Sequence, residues 1–182
     1  MRQFFASFLE VIEIALVAIG AVFLIRSFLI QPFLVSGSSM APNFENGDYL
    51  LIDELTYHFR APQRGEVIVF RYPNDTSTYF IKRVIGLPGE RIEIKNDSIT
   101  VFSDTDPKGL VLDENYLPKS TVTSGDEIIQ LKQGEYLMLG DNRAYSFDSR
   151  SWGPLPAKDI IGIVRLRLWP PAGVTAFAAP QY

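Results

Sequence analysis

Hydrophobic positions divide the chain into two parts with different patterns. The stretch from Ile14 to Ile30 is apolar apart from Arg26 and Ser27, and Pro32 follows it. Its 17 residues span roughly 25 Å as a helix, slightly less than the hydrocarbon core of a bilayer, and Arg26 near the end can snorkel to the headgroups. We therefore expect a membrane anchor over residues 1–35, with a transmembrane helix over about residues 11–30. An amphipathic or buried helix of a soluble domain is the alternative.

From Val35 onward, short runs of β-branched and aromatic residues alternate with turn-forming residues. This pattern is typical of antiparallel strands joined by tight turns. The sequence therefore predicts a mainly β fold over residues 36–182, an antiparallel β-rich, barrel-like domain in which the polar residues 103–126 loop out over the surface. The predicted strands are Tyr49–Ile52, Glu66–Arg71, Tyr79–Ile85, Arg91–Ile94, Ile99–Phe102, Glu127–Leu131, Glu135–Leu139 and Ile160–Leu168.

Composition removes several classes of chemistry. The net charge of -4, with basic residues scattered along the chain, argues against a nucleic-acid-binding surface. The absence of cysteine excludes thiol catalysis and thiolate metal sites, and a single histidine, His58, excludes zinc motifs with two histidine ligands. There is no Gly-rich nucleotide-binding loop. We therefore expect no metal and no cofactor.

Ser39 is the first candidate for catalysis. It lies in Val35-Ser36-Gly37-Ser38-Ser39-Met40, a stretch of small and hydroxyl residues directly after the predicted anchor. Such a stretch is often a flexible linker. Alternatively, Ser39 is a nucleophile, and the neighbouring glycine lets backbone N–H groups approach a developing oxyanion. The second interpretation requires a general base.

Lys82 is the better candidate for that base. His58 has no acidic residue beside it in a triad-like context, so a structural, partly exposed histidine is the simpler interpretation. A lysine acts as a base only when neutral, which burial among apolar groups favours by lowering its pKa. Strand alternation places Lys82 on the same face as Phe80 and Val84. The alternative is an edge-strand lysine that guards against aggregation.

A third polar element runs from Gly140 to Gly153 after an apolar strand. Ser146 can hold a neutral lysine amine by hydrogen bonding, and Asp148 with Arg150 can form an ion pair that fixes the loop. A plain surface loop is the alternative for each of these residues.

Together these elements resemble the bacterial type I signal peptidases. Ser39-Met40-x-Pro42 is similar to the serine box of that family, and Phe80-Ile81-Lys82-Arg83-Val84-Ile85-Gly86 is similar to its lysine box. Gly47-Asp48, Arg64 to Phe70 and Gly140 to Gly153 follow in the family order. The resemblance covers residues 26 to 162 and favours the catalytic interpretations of Ser39 and Lys82. It also implies a minimal form, with only a short variable region at about residues 91–135.

The resemblance implies a role for each matching residue. Ser39 attacks the scissile carbonyl and neutral Lys82 takes its proton. The backbone N–H of Ser39 is one oxyanion donor, and the second falls at Gly37, where some members carry a serine hydroxyl. Supporting residues that orient the lysine are Ser146, Asp148, Arg150, Arg83 and Asp141. The positions matching the substrate pocket are Met40, Phe44, Phe80 and Ile81, with Phe33 and Val35 beside them.

The resemblance also implies the substrate and the location. Substrates are preproteins whose signal peptides end in Ala-x-Ala, bound as an extended strand. The expected partners are these signal peptides and the lipid bilayer, with no nucleic acid, and the expected state is a monomer. The enzyme would cross the cytoplasmic membrane once, with its catalytic domain on the extracytoplasmic side. The chain departs from the family pattern at Asn43-Phe44, usually Thr-Leu, and at Ala144-Tyr145, usually Asp-Asn.

Two rival functions fit parts of the sequence. A soluble self-cleaving Ser/Lys protein shares the chemistry, but it should open with a helix-turn-helix segment rather than an apolar one. A catalytically inactive, membrane-anchored β-domain would keep the anchor and turns, but it has no reason to carry Lys82 beside Phe80 and Val84. Cleavage of a preprotein separates both from a signal peptidase.

Overall fold

The N-terminal part of the chain contains a helix. A computed structural model describes residues 10–20 and 30–180, and residues 10–20 form helix α1 with exposed side chains. Within these described ranges, no helix is long and apolar enough to cross a bilayer. The rest of the predicted transmembrane helix, residues 21–29, and the first nine residues of the anchor lie outside the described residues.

Two antiparallel sheets form the body of residues 30–180, which confirms the mainly β prediction. The larger sheet has the order β1-β2-β11-β3-β4-β9-β10, with β12 beside β11, and the smaller has the order β7-β6-β5-β8. The strands of the larger sheet are β1 Ile30–Leu34, β2 Tyr49–Asp53, β3 Val67–Tyr72, β4 Asp75–Gly86, β9 Glu135–Leu139, β10 Leu155–Pro156, β11 Ile160–Trp169 and β12 Thr175–Ala176. Those of the smaller sheet are β5 Arg91–Lys95, β6 Ser98–Phe102, β7 Leu110–Val111 and β8 Glu127–Gln130.

Short helical elements connect the strands. One α-helical turn, α2, covers Ser149–Trp152. The 3₁₀ turns are Thr56–His58, Arg143–Tyr145, Ala157–Asp159 and Pro171–Gly173. All eight strands expected from the sequence are present. The four that were not expected are β1 and the two-residue strands β7, β10 and β12.

Strand β1 corrects the predicted domain boundary. Ile30–Leu34 was assigned to the anchor, yet it pairs with β2 in register Phe33↔Leu50, so the folded unit begins before residue 36. Pro32 concealed this strand in the sequence. An edge strand tolerates proline because one side of its backbone has no hydrogen-bonding neighbour, and β1 is the edge of the large sheet.

Strand β3 and the last five residues of β4, 82–86, are buried on both faces and divide the core. Val67 and Val69 face one cluster of buried side chains, whereas Ile68 and Phe70 face another. Val84 of β4 joins the second cluster, and Ile85 joins a third between the two sheets. Burial on both faces fixes the register of β4, because a slip by one residue would exchange its two faces. The position of Lys82 on this strand is therefore determined by core packing.

The sequence predicts that the polar segment 103–126 loops out over the surface, but the structure packs part of it into the protein. Leu112 packs into the core between the sheets, and Thr123 is buried. Glu114 forms an ion pair with the buried Arg143 of the loop after β9. Three long-range contacts thus hold the segment against the body of the protein.

Candidate active site

Ser39 and Lys82 come together at one end of the large sheet. The Nζ atom of Lys82 donates a hydrogen bond to Ser39 Oγ at 2.7 Å, although 43 residues separate the two positions. Lys82 lies near the end of β4, and Ser39 lies in the turns that follow β1. This distance suits direct proton transfer between a hydroxyl and an amine.

The turns that carry Ser39 are held from both sides. Met40 is buried in the core, and the Phe44 N–H donates to the Met40 carbonyl at 2.9 Å. From the opposite side, Asn142 donates its backbone N–H to the Ser39 carbonyl and its side-chain amide to the Ser38 carbonyl, both at 3.0 Å. A segment that looked like a flexible linker in composition is therefore fixed at the nucleophile.

The surroundings of Lys82 favour its neutral form. Its side chain is almost completely removed from water, with a residue exposure of 3%, and Nζ lies 5.3 Å from the ring centroid of Phe80. Burial lowers the pKa of Lys82 from its ordinary 10.5 to about 8, and the negative charges of Asp148 and Asp141 oppose part of that shift. The second hydrogen bond of Nζ goes to the Ile81 carbonyl at 2.9 Å. A large fraction of the amine is thus available as a base in mildly alkaline solution.

Ser146 and the backbone of Ser39 both pack against Gly140. A Cβ atom on Gly140 would collide with both Ser146 Oγ and the Ser39 carbonyl, so only glycine allows this approach. Ser146 Oγ is buried, and among the described residues it has no hydrogen-bond partner. The sequence predicted a bond from Lys82 to this hydroxyl, but Nζ uses Ser39 and Ile81 as acceptors instead.

Arg83 and Asp141 tie the lysine strand to the loop after β9. The guanidinium donates through Nε to Oδ1 at 2.8 Å and through NH2 to Oδ2 at 2.6 Å, and both side chains are buried. Asp141 also accepts a hydrogen bond from Asn43 at 2.8 Å. Asn43 belongs to the turns that follow Ser39. One carboxylate therefore links three segments of the site.

Asp148 organises the other end of the same loop. Its carboxylate is fully buried, pairs with Arg150 at 2.8 Å and accepts the Gly140 N–H at 3.1 Å. It also caps helix α2 through the Arg150 N–H. Arg150 in turn donates to the Arg143 carbonyl at 2.7 Å. The predicted ion pair of Asp148 and Arg150 is present and closes the loop around Ser146.

Sequence reasoning missed a buried network behind this loop. The Arg143 guanidinium contacts Glu114, Thr123 and Tyr116, all from the segment 103–126. The guanidinium of Arg83 also lies over the Tyr116 ring, 4.1 Å from its centroid. In the sequence, Arg143 is a charged residue two positions after Asp141. Its partners carried no signal, because a contact across 20 to 29 residues has no local pattern.

A cavity of about 350 Å³ opens beside Ser39 and Lys82. Its walls are the end of β1 with the following turn and the Tyr79–Lys82 part of β4, and its floor is Leu50 and Val69. Of the predicted pocket residues, Phe33, Val35, Phe80 and Ile81 line it. Met40 and Phe44 do not, because both are buried in the core cluster below the floor.

Two further expectations concern Gly37 and His58. The Gly37 N–H donates to Asn46 Oδ1 at 2.9 Å, so this predicted oxyanion donor is already used within the protein. The positive φ of +98° at Gly37 turns the peptide into that conformation.

His58 is exposed, and its Nδ1 contacts the Glu54 carbonyl at 3.1 Å. Residues 10–20 and 30–180 contain no cluster of histidine, cysteine or acidic side chains suited to a metal ion.

Comparisons with known proteins agree on one family. The family model described as "Signal peptidase, peptidase S26" matches residues 8–169. "Probable signal peptidase I-1" of Synechocystis sp. is 36% identical over 171 residues, which cover 88% of this chain and 82% of that protein. "Signal peptidase I P" of Bacillus subtilis subsp. natto is 32% identical over 175 residues, 91% of each chain. A crystal structure of a signal peptidase I from Enterococcus faecalis has 29% identity and a TM-score of 0.48, and the match covers 57% of this chain and 97% of that chain.

Proposed function

The chain belongs to the signal peptidase family, peptidase S26, as a serine endopeptidase of the signal peptidase I type, and from this membership we propose that Ser39 and Lys82 remove N-terminal signal peptides from exported preproteins. One observation carries the proposal. Lys82 Nζ lies 2.7 Å from Ser39 Oγ at a buried position that lowers the lysine pKa to about 8.

The reaction follows from this pair. Neutral Lys82 takes the hydroxyl proton as Ser39 Oγ attacks the scissile carbonyl, which gives a tetrahedral oxyanion and a lysine ammonium. The ammonium then returns the proton to the leaving nitrogen as the C–N bond breaks. An acyl-enzyme on Ser39 remains, and Lys82 activates a water that hydrolyses it to the free signal peptide. The proton is thus conserved at each step.

Backbone N–H groups stabilise the oxyanion, and a hydroxyl stabilises the lysine ammonium. The backbone N–H of Ser39 is the first donor to the oxyanion. The Gly37 N–H, the proposed second donor, must exchange its hydrogen bond to Asn46 Oδ1 for one to the oxyanion. When Lys82 becomes an ammonium it has three protons to donate, while Ser39 and Ile81 offer two acceptors. The unpaired, buried hydroxyl of Ser146 supplies a third acceptor beside the nucleophile.

The cavity suits an extended peptide with small side chains. Strand β1 is a sheet edge, and the Tyr79–Lys82 part of β4 pairs with β3 on one side only, because β9 pairs with β4 from Arg83 onward. A substrate strand laid between these two edges extends both by backbone hydrogen bonds. Alternate residues of that strand face the apolar floor of Leu50 and Val69. Small residues at both positions give the expected Ala-x-Ala preference.

The last part of the proposal concerns how the chain is placed in the membrane. The residues before β1 anchor the chain in the cytoplasmic membrane, with the apolar run from Ile14 to Leu29 as the segment that spans it once. The catalytic domain then lies on the extracytoplasmic side, where translocated preproteins emerge. The domain works as a monomer, with the signal peptide and the bilayer as its partners and without a cofactor.

Cleavage of a matched pair of preproteins tests the proposal. The full chain in lipid vesicles should cleave a preprotein whose signal peptide ends in Ala-x-Ala, and cleavage should fall at least a hundredfold when both alanines become phenylalanine. Ser39→Ala and Lys82→Ala should abolish cleavage. Ser124→Ala, which removes an exposed hydroxyl outside the cavity, should match the wild type. Equal rates in all four proteins would favour the inactive, anchored β-domain.

A further inference from the structure

The loop over Lys82 carries two exposed aromatic side chains that the reaction itself does not need. We propose that Tyr145 and Phe147 form a binding subsite for the residues that follow the scissile bond, and that the subsite selects apolar over acidic residues there. The proposal rests on the proposed function, since it concerns the leaving half of the same substrate.

The backbone of the loop presents both rings on one side. Tyr145 ends the 3₁₀ turn Arg143–Tyr145, and Ser146 after it is extended, with φ −112° and ψ 123°. Because neighbouring side chains of an extended segment point in opposite directions, Ser146 turns inward beside Gly140 while its two neighbours turn outward. Tyr145 is 79% exposed and Phe147 53% exposed, and both line the cavity beside Ser39 and Lys82.

The Phe147 part of the aromatic surface is built in advance. The Phe147 ring lies edge-on to the rings of Tyr72 and Phe80, with centroid distances of 5.9 Å and 6.4 Å. Tyr72 in turn packs against Phe80 at 4.9 Å and against Trp152 at 6.0 Å. The loop below is fixed by the ion pair of Asp148 and Arg150. A ligand therefore meets a preformed ring at Phe147 and loses little free energy to ordering it.

The direction of the chemistry assigns this surface to the leaving half. Lys82 must reach the leaving nitrogen to protonate it, so the peptide beyond that nitrogen departs on the Lys82 side of the cavity. Tyr145 and Phe147 flank Ser146 on that side. The acyl half occupies the other part of the cavity, between β1 and the Tyr79 and Ile81 positions of β4.

The chemistry of the surface sets the preference. Two rings offer apolar area and a single phenolic hydroxyl, and the cations nearest in the loop, Arg143 and Arg150, are already paired with Glu114 and Asp148. An acidic side chain placed there would lose water without gaining a partner. Large exposed aromatics beside a site commonly mark a contact surface. Tyr145 is moreover one of the positions where the chain departs from the family pattern it resembles.

Two substrates and one double variant test the subsite. Preproteins identical through Ala-x-Ala continue with Leu-Phe in one and Asp-Glu in the other. The full chain should cleave the Leu-Phe substrate with a kcat/KM about tenfold higher. Tyr145→Ala with Phe147→Ala should reduce that preference to about twofold or less, mainly through a higher KM for the Leu-Phe substrate. Phe59→Ala, which removes an 81% exposed ring outside the cavity, should keep the preference.

Each other outcome has a defined meaning. An equal loss on both substrates would show a structural role and overturn the subsite, as would an unchanged preference. An equal loss seen in vesicles but absent in detergent micelles would show that the rings contact lipid, which also overturns it. If the wild type cleaves neither substrate, the proposed function fails rather than the subsite alone. Equal unfolding temperatures of the variants exclude misfolding as a cause.

Discussion

Arg83 and Asp141 form a bidentate, buried ion pair directly behind the active site, with N–O distances of 2.8 and 2.6 Å. Arg83 follows Lys82 on β4, and Asp141 follows Gly140, which packs against Ser39 and Ser146. The pair therefore sets the distance between the strand that carries Lys82 and the loop that packs against Ser39. Its contribution to catalysis is positional, since neither side chain lines the cavity.

Loss of the Asp141 charge should weaken both stability and catalysis. Asp141→Asn removes the carboxylate charge that pairs with the buried Arg83 guanidinium, which costs about 3–5 kcal/mol of unfolding free energy. Urea denaturation measures this loss, and peptide cleavage should show a lower kcat. Glu93→Gln is the matched control, because Glu93 pairs with Arg91 at 3.8 Å on the surface and should contribute less than about 1 kcal/mol. Equal losses in the two variants would contradict the assigned role.

Ser146→Ala should separate catalysis from stability. The Ser146 hydroxyl is buried and has no hydrogen-bond partner in the part of the chain that the structure describes, so its removal should leave the unfolding free energy equal or higher. If the hydroxyl accepts a proton from the Lys82 ammonium during turnover, kcat should still fall about tenfold to a hundredfold. Steady-state kinetics beside thermal unfolding check both parts. An unchanged kcat would remove Ser146 from the mechanism.

Lys82→Met should stabilise the fold in a pH-dependent way. Burial lowers the pKa of Lys82 to about 8 from 10.5, so between these values the unfolded chain binds a proton that the folded chain does not. Wild-type stability should therefore rise with pH across this window. Below pH 8 the variant should exceed the wild type by on the order of 2–3 kcal/mol, and the difference should vanish near pH 10.5. The exposed Lys158, changed to Met, should show no such trend.

Much of the fold was predictable because strands with two buried faces leave a strong pattern. Val67 to Phe70 and Tyr79 to Ile85 were both placed correctly as strands. Strand β1 was not, since Pro32 is rare in a strand interior and is tolerated only because β1 lies at an edge. Short strands such as β10 depend on pairing with distant residues, which local sequence does not encode.

The site was predictable in its residues more than in its geometry. Resemblance of the serine and lysine boxes pointed to Ser39 and Lys82, and the structure brings them within hydrogen-bonding distance. The residues that line the cavity were harder to predict from the sequence. Phe44 matches a pocket position in sequence but lies in the core, where its ring packs 4.4 Å from Phe177 of the C-terminal tail. Contacts of that kind follow from tertiary packing alone.

The pH dependence of cleavage tests the central claim, that neutral Lys82 is the base for Ser39. With the full chain and an Ala-x-Ala preprotein, kcat/KM should rise from pH 6 and level off above an apparent pKa of about 8, because burial lowers the pKa of Lys82 to that value. A rate that stays flat from pH 6 to pH 10, or that falls as pH rises through 8, would contradict the account.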